Sequence, residues 1–107
     1  TMSIKTFTEE LLGIVENQQD IEAVRLLAKA HIRKAEVENR IFEIELENID
    51  PDSRVAIEKQ QMKIAQQNEE YKNLRIEYEL LKAGINALEV FLKVYIQRKF
   101  LNQLQEV

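Results

Sequence analysis

A single proline, Pro51, interrupts a chain of 107 residues that holds only 2 glycines. β-Rich chains need many tight turns, and tight turns draw on Gly, Pro, Asn and Asp. A chain so poor in Gly and Pro folds most economically into a few long helices. The expected class is all-α, and the length suits a single helical domain over 1–107.

The proline also punctuates. In "NIDPDSR", Asp50 is the expected N-cap and Pro51 the first helical residue, where its missing N–H costs nothing. Asp52 adds negative charge to that first turn, favourable against the helix dipole. A link this short predicts antiparallel neighbours. Upstream, Thr6 and Glu9 have capping-box spacing, and Phe7, Leu11, Ile14 and Val15 share a face. These signals predict helices over 7–16, 20–48 and 51–104.

Both long helices repeat apolar residues in heptads. On 20–48 one row is Ala23, Ala30, Val37 and Ile44, and the other is Leu27, Lys34, Ile41 and Asn48. Val24, Ala28, His31, Ala35, Phe42 and Ile49 widen that stripe. On 51–104 one row is Ile57, Ile64, Tyr71, Tyr78, Ile85, Leu92 and Lys99. Its companion is Gln60, Gln67, Leu74, Leu81, Leu88, Tyr95 and Asn102. The spacing predicts a long helical hairpin with a coiled-coil seam. Gly84 is the one weak point, and a break there would instead give a four-helix bundle.

In a hairpin turning at Pro51, helix 20–48 covers its neighbour only from about 52 to 80. The overhang beyond is the most apolar part of the chain, with a further row of Leu80, Ala87, Val94 and Leu101. Proteins rarely leave such patches bare. The expectation is therefore a homo-oligomer whose interface includes Leu81, Ile85, Leu88, Phe91, Leu92 and Tyr95. If helix 51–104 folds back at Gly84, the same residues become an internal core.

Chemistry is sparse. The chain has one histidine, His31, and no cysteine, so a thiol nucleophile is excluded and a triad is unsupported. There is no Gly-rich phosphate loop and no Glu-x-x-His pair, so neither a cofactor nor a metal is expected. Seven acids from Glu36 to Asp52 cluster near the hairpin tip and read as a solvated face rather than a cation site. A net charge of -4 disfavours nucleic acid. Arg25, Lys29 and Arg33, spaced by four, are still the candidates for an anion or nucleic-acid contact. The opening "TMSIKTFTEELL" lacks a signal-peptide pattern, and no segment reads as a membrane span. Together these point to a cytoplasmic, non-enzymatic structural or adaptor protein. It would associate with itself, and a second protein is a further candidate partner. The alternative is a small phage or mobile-element accessory protein that binds a nucleotide or inhibits a host protein. Frequent Ile, Lys, Glu and Asn fit an AT-rich bacterial or phage genome.

Overall fold

The computed structural model describes residues 3–106, so the outermost ends of the expected 1–107 domain lie outside the described residues. Within them the chain is all-α, with helices α1 (Ile4–Asn17), α2 (Asp20–Asn48), α3 (Ile57–Gln67) and α4 (Glu69–Gln105).

Helix α1 starts earlier than the capping-box spacing predicts. Ser3 is the N-cap, and its hydroxyl accepts the Thr6 amide at 3.2 Å, so Thr6 lies inside the helix rather than capping it. The helix ends at Gln18, which adopts the left-handed conformation at φ 53° and closes a tight turn into α2. That turn folds α1 back along α2. Phe7 and Ile14 then enter one core with Ala23, Leu26 and Ala30 of α2 and Leu81 and Leu88 of α4.

The expected helix over 51–104 is two helices. Its first residues form a turn instead: Asp50 accepts the Asp52 amide on its carboxylate at 3.0 Å and the Ser53 amide on its carbonyl at 3.3 Å. Asp50 thus caps a turn, and Pro51 lies outside any helix. Gln60 holds the loop in place. Its side-chain oxygen accepts the Asp50 amide at 2.9 Å, and its NH₂ donates to the Asp50 and Val55 carbonyls. The second interruption falls at Asn68, which sits at φ -131°, ψ 104° and takes the Tyr71 amide on its side chain at 3.1 Å. Asn competes with the backbone for helical amides and favours a cap over a helix interior. Glu69 and Glu70 then place negative charge in the new first turn.

No break occurs at Gly84, which is buried in the middle of α4. A Cβ there would overlap the Phe7 ring, so the glycine lets α1 approach α4 closely. It serves packing between helices rather than a turn.

The middle of the heptad seam holds, while Asn48, Ile57, Gln67, Lys99 and Asn102 of the expected rows are exposed. Ala23, Ala30, Val37 and Ile44 of α2 are buried, as are Tyr71, Leu81, Ile85 and Leu88 of α4, while Leu74, Tyr78, Leu92 and Tyr95 are partly buried. The widening of α2 is different from the expected one. Val24, His31 and Phe42 are exposed, and Leu26 is the residue that turns inward toward α1.

Candidate interaction surface

Ion pairs between α2 and α4 define their register. Arg33 grips Glu77 with two parallel bonds, Nε to Oε1 at 2.8 Å and Nη2 to Oε2 at 3.1 Å. Arg40 does the same to Glu70, at 3.2 and 2.8 Å. These bonds raise both arginine pKa values and hold the Glu70 carboxyl below its ordinary value. Further along, His31 lies 3.9 Å from Glu89. The N-terminal part of α2 therefore runs beside α4 well past residue 80. Glu45, near the other end, touches the Tyr71 hydroxyl at 3.1 Å and Gln61 of α3 at 3.4 Å. Helix α3 thus closes the end of the hairpin, and α2 is left to cover α4.

This register corrects the expected interface. Leu81 and Leu88 are each 0% exposed within the single chain, and Ile85 is also buried. Phe91 and Leu92 are half-buried against the same core, and Tyr95 is half-buried beside Phe91, with ring centres 6.3 Å apart. The expected hairpin turns at Pro51 and begins pairing immediately after it. In the structure α3 occupies the stretch assigned to pairing, so α2 lies against α4 from about Glu70 to Leu92.

What stays uncovered is another face of α4. Ile76, Leu80, Ala83, Ala87, Val90, Val94, Leu101 and Leu104 follow the alternating four-three spacing, with Gln97 as the polar member of the series. All are exposed, Val90 by 54% and Leu101 by 56%. This outer seam lies roughly a third of a turn around the helix from Leu88. Of it, the row through Leu80, Ala87, Val94 and Leu101 was legible in the sequence as a separate stripe, and Ile76 and Ala83 were not. Beside it, Val15 of α1 joins Ala87, Val90, Phe91, Val94 and Tyr95 in a shallow apolar groove.

The basic strip does not assemble as a free anion site. Arg33 is committed to Glu77 and also donates to Glu36 at 3.3 Å, and Arg25 donates to Glu22 at 2.7 Å. Lys29 is exposed along the edge between α1 and α2, where Glu10 and Glu22 also lie. Part of the acidic stretch is also paired: Glu38 meets Lys34, Glu43 meets Arg40, and Glu45 meets Tyr71 and Arg75. No group of three His, Cys, Asp or Glu suited to a metal ion forms among the described residues. Tyr71 is enclosed in the core with its hydroxyl at the edge against Glu45. Tyr78 is half-buried between the ammonium groups of Lys34 and Lys82, 5.5 and 5.4 Å from its ring centre.

No helix among the described residues is long and apolar enough to cross a membrane. Comparisons with protein-family models, curated proteins and solved structures find no match.

Proposed function

We propose that the chain is a non-enzymatic helical association module that works in the cytoplasm as a structural or adaptor protein and assembles with copies of itself. The observation that carries this reading is the outer seam of α4, an exposed heptad stripe with eight apolar residues from Ile76 to Leu104. Heptads sustained over that length are the sequence pattern of helix pairing. The wide surroundings of the seam, Val15 included, add apolar area beyond what solitary exposed side chains explain. Arg33 and Arg40 are committed to Glu77 and Glu70 across the α2–α4 contact, a structural use of those charges that fits an association module.

The drive to associate is moderate. Large apolar side chains contribute about 1.5–3 kcal/mol each on full burial, and these are already about half covered. Association itself costs about 4–15 kcal/mol. Assembly is therefore expected to depend on concentration. Light scattering across the micromolar range tests it: the wild type should rise above the mass of one chain, and Val94→Asp should return it to a monomer with unchanged helicity. A wild type that stays monomeric at high micromolar concentration would sink the proposal.

A further inference from the structure

The flanks of the outer seam carry information about how a second copy would sit. Building on the self-association reading, we infer that two α4 helices pair antiparallel about Asn86, with Glu79 of each facing Lys93 of the other.

The flank of the seam away from α1 carries Lys72, Glu79, Asn86, Lys93 and Phe100, one residue per heptad. Glu79 and Lys93 each lie seven residues from Asn86, on opposite sides. In an antiparallel pair, flanking residues of this row meet their equivalents in the other helix. Pairing about Asn86 puts Asn86 beside the partner's Asn86, Glu79 beside the partner's Lys93, and Lys72 near the partner's Phe100. Two-fold symmetry repeats the last two contacts. Glu79 and Lys93 are both exposed, and the present contact of Glu79 is a loose 3.8 Å approach to Lys82 on the same helix. Asn86 also sits next to the midpoint of α4 (Glu69–Gln105), so this pairing overlaps nearly the whole helix.

A parallel pair makes poorer use of the same residues. There each residue of this row meets the partner residue five positions further on, across the seam. Lys93 would face the partner's Arg98, a like-charge contact made twice, and Glu79 would face the partner's Gly84. The second flank favours the antiparallel arrangement too. Helix α1 packs along that side, with Phe7 over Gly84 and Val15 near Phe91. Antiparallel pairing sets α1 alongside the partner's α1, where the exposed Leu12 and Val15 find apolar company. Parallel pairing would put the two α1 helices on opposite sides and leave Leu12 bare.

Charge exchange discriminates the two orientations, with mass and dissociation constant read by sedimentation. Lys93→Glu should weaken the dimer about tenfold, because it faces the partner's Glu79 twice. Glu79→Lys should do the same, and the double exchange should restore affinity to within about twofold of wild type. In a parallel pair Lys93→Glu would strengthen association by removing its clash with Arg98, and that result overturns the inference while leaving self-association standing. Cross-linking gives a second readout, since the chain has no cysteine of its own. Asn86→Cys should form a covalent dimer on mild oxidation and Leu104→Cys should not. The reverse pattern, or a dimer in which neither variant cross-links, also overturns the orientation. Failure of the wild type to dimerise removes this inference together with the reading beneath it.

Discussion

The inner face of α4, from Tyr71 to Tyr95, and its outer face, from Ile76 to Leu104, repeat apolar residues at the same alternating spacing. The inner face is covered by α2 and α1, fully at Tyr71, Leu81, Ile85 and Leu88 and partly elsewhere, whereas the outer one is open. Part of the difference is size. The inner row has Tyr71, Leu81, Ile85 and Leu88, while the outer row narrows to Ala83 and Ala87 at its centre. The rest is tethering. Helices α1 and α2 belong to the same chain and reach α4 at a high effective concentration, whereas a second molecule must give up its translational freedom to do so. Equal periodicity therefore marks two pairing surfaces without saying which one is filled first.

The largest expected effect separates the two faces directly. Leu88→Ala should lower the unfolding free energy by about 2–5 kcal/mol, because it empties a fully enclosed site. Val90→Ala, two residues along on the open face, should change the isolated chain by less than about 0.5 kcal/mol. Urea titration at low protein concentration measures both, and equal losses would erase the distinction between the faces.

A smaller effect sharpens the account of how α1 helps close the inner face. Gly84→Ala should destabilise by up to about 2 kcal/mol: the overlap with the Phe7 ring costs up to about 3 kcal/mol, less about 1 kcal/mol of improved helix propensity. Gly13→Ala has open space around the new methyl group and should stabilise by up to about 1 kcal/mol. Thermal unfolding should move in opposite directions for the two. A shift of the same sign would mean that α1 does not rest on Gly84.

The smallest effect concerns the polar edge of the inner face. Burial, with the Glu45 carboxylate beside it, pushes the Tyr71 phenol above its ordinary pKa. A group whose pKa is higher in the folded state contributes stability below its unfolded value, about 10. That contribution is lost as the pH rises through the folded pKa. Tyr71→Phe should cost about 0.5–1.5 kcal/mol at neutral pH. It should also flatten the fall in stability above about pH 10, read from urea midpoints across pH. An unchanged alkaline slope would place the Tyr71 hydroxyl in water rather than against Glu45.

Some of this was legible without coordinates. Scarce glycine and proline determined the all-α class, and the heptad rows named most of the inner core, from Ala23 to Ile44 and from Tyr71 to Leu88. The cap at Asn68 was also written in the chain, as Asn followed by two acids, but the unbroken repeat running through it masked the signal. Leu26 has its meaning only because α1 folds back against it, and Gly84 only because Phe7 rests there. Register is the clearest example of what tertiary structure alone decided. A heptad pattern looks the same after sliding by seven residues, so periodicity cannot say which turn of α2 meets which turn of α4. That choice came from features the repeat does not contain: Arg33–Glu77 and Arg40–Glu70 made together, since a slide by one heptad keeps only one such pair, the Phe7 ring over Gly84, and the Gln60 clamp on the loop. They moved Leu81 and Leu88 from the expected surface into the core and left the outer seam of α4 exposed.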